Sequence, residues 1–301
     1  MAIEVTGNRT LGARLRAPVV EVRRLARVIS AILALLVFPA LPVIRAQDPP
    51  PPAAALPSTQ EIIDRALKRA DWMREQGYED RLTGEHISVK EELNDEKGVK
   101  SREEILYRVY PLDGYLYYER VAVDGKPLSE EELKKRKEDF RKEVAASTSG
   151  EEEKQDDDND IKFNQDLISR YEAEVKGVEN VNGRPAYVLT FQPKPGKLPV
   201  QRRIDYALNN SGGKLWIDTA EFGVVRVWFE LLRPVKLWAG VLGKVGLATG
   251  DLEQTRLADG VWLPRDLSIY IKGRVVFKSF HQQRQLQWRD LKLAPPQVAA
   301  K

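Results

Sequence analysis

The sequence predicts an α+β fold in which a strongly curved antiparallel sheet forms an open half-barrel, with an N-terminal helix on its concave face and a charged helical insertion. Apolar residues recur at helical intervals in one segment after residue 58, and alternation with a period of two then governs about eleven later segments. A stretch dense in charge interrupts that alternation. A sheet of so many strands curls instead of staying flat, which creates a concave face.

Residues 1–46 have the order of a cleavable signal peptide. Six arginines between Arg9 and Arg27 precede an uncharged apolar stretch from Val28 to Ile44, and the small residue Ala46 closes it. A transmembrane anchor is the alternative, but it needs roughly 20 apolar residues, and this stretch is shorter and contains two prolines. We therefore expect cleavage near Gln47, a periplasmic or otherwise exported protein, and no membrane span after cleavage.

A spacer and a helix follow the leader. Residues 47–57 are rich in proline and alanine, which favours an extended linker. Ser58 stands three residues before Glu61, in the spacing of a capping box, and apolar residues then recur at helical intervals as far as Gly77. The pattern predicts an amphipathic helix from Thr59 to Gln76 at the start of a domain that spans residues 58–293, with a tail at 294–301.

The first strands are predicted at His86 to Leu93, Glu104 to Tyr110 and Tyr115 to Val123. A charged insertion at residues 128–160 then begins with a second capping box, which predicts an exposed helix running to Val144. Its acidic end lacks the glycine and glutamate that an EF-hand loop needs, so we expect a solvated loop and no calcium site.

Eight more strands are predicted in the second half, with a glycine-rich stretch at residues 240–250 interpreted as a flexible loop. Period-two alternation and turn signals place the strands at Ala173 to Val178, Ala186 to Gln192, Lys214 to Asp218, Val224 to Leu232, Leu252 to Leu257, Leu267 to Lys272, Val275 to His281 and Gln285 to Asp290.

Composition narrows the function classes. The whole chain has 48 basic and 45 acidic residues, and the leader holds seven of the basic and two of the acidic ones. Without the leader the charges nearly balance, so nucleic acid is not an expected partner. The absence of cysteine removes disulfides and a lipid-bearing cysteine. With only two histidines, a zinc site has too few ligands, and Ser211 lacks the leading glycine of a nucleophile elbow. We therefore expect no enzyme, no metal and no cofactor.

Part of the second half resembles a known family. The resemblance lies in the run from Val175 to Leu189 (VKGVENVNGRPAYVL), in Pro193, in the run from Lys214 to Asp218 (KLWID) and in the following Val225 to Val227 (VRV). These residues resemble the LolA-like superfamily of periplasmic lipoprotein carriers. The resemblance implies a helix and an unclosed barrel around an apolar cavity that accepts acyl chains, and the charged insertion departs from it.

Large apolar side chains on the strands are the candidate ligand contacts. Residues that alternate along a strand share a face, and a curled sheet presents one face to its concave side. Core packing beneath the helix is the alternative for each of them. The candidate groove residues are Tyr187, Leu189, Phe191, Trp216, Val227, Phe229, Leu231, Tyr270 and Phe277.

We therefore expect a non-enzymatic envelope protein that binds or carries a lipid, or the acyl chain of a lipoprotein, in an apolar groove. Lipid, acylated protein and other envelope proteins are its expected partners. The alternative is a periplasmic sensor or interaction domain whose groove is filled by its own side chains, and a hydrolase is the third class. An apolar cavity of several hundred cubic ångströms favours the first, and a filled groove favours the second.

Overall fold

The structure is a computed structural model, and it describes residues 56–78, 81–148, 161–237, 243–257, 260–275 and 278–295. The predicted signal peptide, most of the linker and the acidic end of the insertion lie outside the described residues, as does most of the tail. Within the described residues, no helix is both long and apolar enough to cross a bilayer.

The predicted N-terminal helix is present as α1 (Thr59–Glu75) and ends one residue before the predicted end. The hydroxyl of Ser58 accepts a hydrogen bond from the amide of Glu61 at 3.1 Å, which satisfies one of the free amides of the first turn. Its buried residues recur at helical spacing and therefore form one stripe. They are Ile62, Ile63, Ala66 and Leu67.

Twelve strands pair into one antiparallel sheet within the described part of the chain. They are β1 (Leu82–Leu93), β2 (Val99–Leu112), β3 (Tyr115–Val123), β4 (Lys126–Pro127), β5 (Tyr171–Val181), β6 (Arg184–Pro193), β7 (Ser211–Asp218), β8 (Val224–Leu231), β9 (Val235–Leu237), β10 (Gly243–Arg256), β11 (Trp262–Val275) and β12 (Lys278–Leu293). The remaining helices are α2 (Glu130–Thr148), α3 (Gln165–Ser169) and α4 (Asp205–Leu208).

The sheet is open. Its strands follow the order β4-β3-β2-β1-β12-β11-β10-β8-β7-β6-β5, and β9 pairs with β10. Because β1 joins β12, strands from the two ends of the domain meet in the middle of the sheet. The outermost strands of this order are β4 and β5, which do not pair with each other in the ranges described.

The predicted helix in the insertion is present as α2 and is longer than predicted. Ser129 and Glu132 form the expected capping box, because the carboxylate of Glu132 accepts from the Ser129 amide at 2.9 Å and the Ser129 hydroxyl accepts from the Glu132 amide at 3.3 Å. Phe140 of α2 packs on Tyr117 of β3 with ring centroids 4.6 Å apart. This contact fixes the helix to one end of the sheet.

The second half corrects the prediction at two places. The segments Val275 to His281 and Gln285 to Asp290 were predicted as separate strands, yet residues from Lys278 to Leu293 form the single strand β12. The polar residues between those segments pair with β11 on one side and β1 on the other, so no turn forms there. The glycine-rich stretch was predicted as a loop, but pairing with β9 and β11 makes it strand from Gly243 onward.

Candidate functional site

One face of the sheet carries α1, and we call it the α1 face. Residues that are direct partners in neighbouring strands project to the same face, so a row can be followed across the sheet. Leu189 and Leu215 pack in one buried cluster with the apolar stripe of α1. The row that contains them runs through Leu189, Leu215, Val227, Leu252, Leu267 and Leu286.

A second row on the α1 face lies one pleat away and is also apolar. It consists of Phe191, Gly213, Phe229, Gly250 and Ile269. The ring of Phe229 lies over Gly250, where a Cβ atom would come within 2.3 Å of the ring. The side chains of Phe229 and Ile269 are half-buried. Phe191 packs partly against the cluster that contains the α1 stripe, and Ile269 packs against the cluster of Leu267 and Leu286.

The second row changes character between β11 and β12. Ile269 pairs with Arg284, Arg284 pairs with Lys90, and Lys90 pairs with Glu103. The α1 face therefore has an apolar part on β6 to β11 and a charged part on β12, β1 and β2. Two of the three charged side chains are cations, and both are half-buried beside the apolar part.

His86 lies deeper on the same face, within a cluster of aromatic rings. Its ring centroid is 4.7 Å from that of Trp288, 5.5 Å from that of Tyr107 and 5.8 Å from that of Tyr118. Neither ring nitrogen of His86 has a hydrogen-bond partner among the described residues, and the Nε1 atom of Trp288 also has none. Burial, together with the positive charge of Arg284, lowers the pKa of His86 to about 3.

The structure brings together part of the set predicted from sequence. Leu189 is fully buried in the cluster with α1, and Tyr187, Phe191 and Val227 are partly buried against that cluster. Phe229 belongs to the second row, and Leu231 follows it on the same face as a buried residue.

Other candidates do not join this set. Trp216 lies on the opposite face, where its Nε1 atom donates a hydrogen bond to Glu179 at 2.8 Å. Tyr270 also lies on that face, against the ring of His281. Neither residue therefore belongs to the set on the α1 face, because their neighbours along the strand, and not they, project to that face. Phe277 lies outside the described residues.

Sequence reasoning missed Gly250, Ile269 as a site residue, and Arg284. Gly250 stood in a stretch interpreted as loop, and Arg284 stood between two segments predicted as separate strands. The alternation of Leu267, Ile269 and Ile271 along β11 could have indicated that Ile269 shares a face with Leu267.

Two recesses within the described residues lie away from the α1 face. The larger, of about 530 Å³, is bounded by α2, β2 and β3 and lined by Arg108, Tyr110, Glu119, Glu130, Leu133, Lys134 and Lys137. The smaller, of about 180 Å³, is lined by Ile87, Val89, Arg102, Glu104, Gln285, Gln287 and Arg289. Most of the residues that line the two recesses are charged or polar in type, and neither lining contains a candidate groove residue.

Glu119 is the buried group of the larger recess. Its carboxylate forms ion pairs with the Nζ of Lys137 at 3.2 Å and the guanidinium of Arg108 at 3.3 Å, and it accepts a hydrogen bond from the hydroxyl of Tyr110 at 3.1 Å. The charge of this carboxylate is therefore compensated by its own neighbours. In the described part of the chain, no group of three or more acidic or histidine side chains is arranged to hold a metal ion.

No protein-family model matches the sequence, and no curated protein matches it. Among solved structures, a domain described as an outer membrane lipoprotein-sorting protein from Vibrio parahaemolyticus is 13% identical, with 79% of this chain and 95% of that chain covered and a TM-score of 0.32. A LolA superfamily protein from Nitrosomonas europaea is 14% identical, with 82% and 99% covered and a TM-score of 0.29. A DUF1329 family protein from Desulfovibrio piger is 10% identical, with 81% and 95% covered and a TM-score of 0.29. Solved LolA-superfamily and lipoprotein-sorting domains are thus among the structures that match this chain.

Proposed function

We propose that this protein is a non-enzymatic protein of the cell envelope that binds a hydrophobic ligand, a lipid or the acyl chain of a lipoprotein, on the α1 face. In this proposal the α1 face is the concave face of the curved sheet, and residues 1–46 are the signal that exports the chain. Acylated proteins and other envelope proteins are its proposed partners.

The observation that carries the proposal is the second row of the α1 face. Phe191, Phe229 and Ile269 place large apolar side chains in one line across five strands, and the glycine at position 250 lets the ring of Phe229 lie flat against the sheet. Half-buried apolar side chains in a line offer an extended surface to a linear chain. Burial of about a dozen methylenes at roughly 0.8 kcal/mol each gives a gross gain near 10 kcal/mol before the entropy of association is subtracted.

The charged continuation of the row supports a ligand with a polar end. Arg284 and Lys90 extend the line of Ile269 toward β1, so an acyl chain that lies along the row points one end at two cations. A carboxylate or phosphate at that end of the chain would find a favourable charge there. A free fatty acid or an anionic lipid therefore fits the row better than an uncharged alkane.

Titration with a fluorescent fatty acid, with thermal melts in parallel, tests the proposal. We expect saturable binding by the wild type and a loss of at least tenfold in affinity for Phe229→Asp and for Ile269→Asp, because each puts a charge into the apolar row. Leu106→Asp is the matched control, since Leu106 is half-buried in β2 and projects to the opposite face.

A second arm tests the polar end. Arg284→Gln is expected to weaken binding of the fatty acid while binding of the corresponding fatty alcohol is unchanged. The proposal fails if the wild type shows no saturable binding, or if Leu106→Asp weakens binding as much as Phe229→Asp does. If Phe229→Asp and Ile269→Asp both unfold while Leu106→Asp stays folded, the row belongs to the core. That result would favour the sensor or interaction domain.

A further inference from the structure

Three cations form a row across one end of the sheet, on the face opposite α1. Lys236 of β9 pairs directly with Lys244 of β10, and Lys244 pairs directly with Arg274 of β11. All three side chains are exposed. Since neighbouring strands are about 4.8 Å apart, the three charges span about 10 Å. We call this set the cation row.

The described residues supply no counter-ion to the cation row. None of its three members makes an ion pair or a hydrogen bond through its side chain to any residue of the described ranges. The next cation on the same face, Lys272, does have a partner, Asp95, at 3.1 Å. Like charges that are directly opposite in a sheet destabilise it, so three of them in sequence are unfavourable for folding alone. An anionic partner would remove this repulsion.

Exposed aliphatic side chains surround the cation row. Leu247, which pairs with Lys272 and projects to the same face, is 40% exposed. Leu232, just after β8, is 49% exposed and lies beside Gly212 on this face. Leu247 and Leu232 lie at the same end of the sheet as the cation row, because β8 ends there and β10 begins there. A soluble anion would satisfy the cations and leave the aliphatic side chains in water.

We propose that this end of the sheet docks on a bilayer that contains anionic phospholipids. The cation row binds lipid phosphates, and Leu247 and Leu232 enter the interfacial region beside them. A bilayer surface offers several phosphates in one plane next to an apolar layer, which matches a straight row of cations flanked by aliphatic side chains. This docking surface is separate from the α1 face and does not depend on the function proposed for that face.

Vesicle flotation tests the proposal. The sample is the protein as it is isolated from the cells that produce it. Vesicles of phosphatidylglycerol and phosphatidylethanolamine are compared with vesicles of phosphatidylcholine. Replacing Lys236, Lys244 and Arg274 together by glutamine is expected to weaken binding to the anionic vesicles roughly a hundredfold, because each lost charge weakens binding about fivefold. The matched control replaces the exposed lysines Lys68, Lys126 and Lys135 by glutamine, which removes the same charge elsewhere.

The competing occupants are outcomes of the same experiment. Binding should fall as salt is raised, and Leu247→Gln should weaken binding at both low and high salt because it removes an apolar contact. Equal loss in the two triple variants, or equal binding to both kinds of vesicle, would overturn the proposal. A peptide with the sequence of residues 151–160 serves as a soluble acidic competitor, and binding of that peptide without binding of vesicles would also overturn it. Thermal melts of the cation-row variant should show unchanged or higher stability.

Discussion

The ring of Phe229 lies directly over Gly250 in the neighbouring strand, so that a Cβ atom at position 250 would come within 2.3 Å of two ring atoms. Phe229 and Gly250 are direct partners of β8 and β10. A glycine therefore sets how close the aromatic ring lies to the sheet, and through it the shape of the apolar row on the α1 face.

Gly250→Ala is expected to push the ring away from the sheet and to lower the free energy of unfolding by about 1 to 3 kcal/mol, as overpacking commonly does. Gly246→Ala is the matched control in the same strand, because the nearest atom to a Cβ there is 3.8 Å away. Urea denaturation of the two variants measures the difference. Equal stability of both would show that the ring moves without cost.

Asp218 is a buried carboxylate whose partners make stability depend on pH. It accepts hydrogen bonds from Arg184 at 2.8 and 3.0 Å and from the amides of Ala220 and Glu221 at 3.0 and 2.7 Å. Burial alone would raise the pKa of Asp218. The hydrogen bonds and the positive charge of Arg184 lower the pKa by more than burial raises it, so it lies below its ordinary value of 3.8. Stability from this group is thus present above pH 3.8 and is lost as the pH falls through the folded-state pKa.

Asp218→Asn is therefore expected to lower the free energy of unfolding at pH 7 by about 2 to 3 kcal/mol and to flatten the fall in stability below pH 4. Asp64→Asn, on the exposed side of α1, serves as the control and should change stability by less than about 0.5 kcal/mol. Denaturant melts at several pH values supply the comparison. A pH profile of Asp218→Asn parallel to that of the wild type would contradict the assignment.

His86 is a buried base that stays neutral in the folded protein, in contrast to the ionised carboxylate of Asp218. Its pKa is lowered from 6.5 to about 3 by burial and by Arg284, so the unfolded chain binds the proton at a higher pH than the folded protein does. The free energy of unfolding therefore falls as the pH drops from 6.5 toward 3, and His86 alone accounts for about 3 kcal/mol between pH 7 and pH 4.

His86→Phe is expected to remove that part of the acid sensitivity while it preserves packing against Trp288, Tyr107 and Tyr118. Trp288→Phe, which changes the same cluster without removing a titratable group, should keep the wild-type slope. Melts at pH 7 and pH 4 distinguish the two. The assignment is wrong if both variants show the same pH dependence.

Local patterns predicted much of the fold. The capping boxes at Ser58 and Ser129 and the strand alternation around Tyr115 and Tyr187 are determined by neighbouring residues, and the structure confirms the corresponding elements. The polar centre of β12 and the glycines of β10 were misread, because their strand state comes from partners that are distant in sequence. Tertiary pairing overrides local preference at such positions.

The candidate site was less accessible from sequence than the fold. Alternation groups Tyr187 with Leu189 and Phe191, but only the register across strands shows that Phe229 and Ile269 share their face and that Trp216 and Tyr270 do not. A shift of one residue in a single strand would exchange these sets. The apposition of Phe229 and Gly250 depends on the same register, and no signal in either segment alone reveals it.

Photo-crosslinking with a diazirine fatty acid tests most directly whether the α1 face binds a hydrophobic ligand. After irradiation at a subsaturating concentration and digestion, the proposal predicts labelled peptides from β8, β10 and β11 that contain Phe229, Gly250 or Ile269, with labelling suppressed by unlabelled fatty acid. Labels concentrated on Tyr110 and Lys137 in the recess beside α2, or labelling that no competitor suppresses, would contradict it.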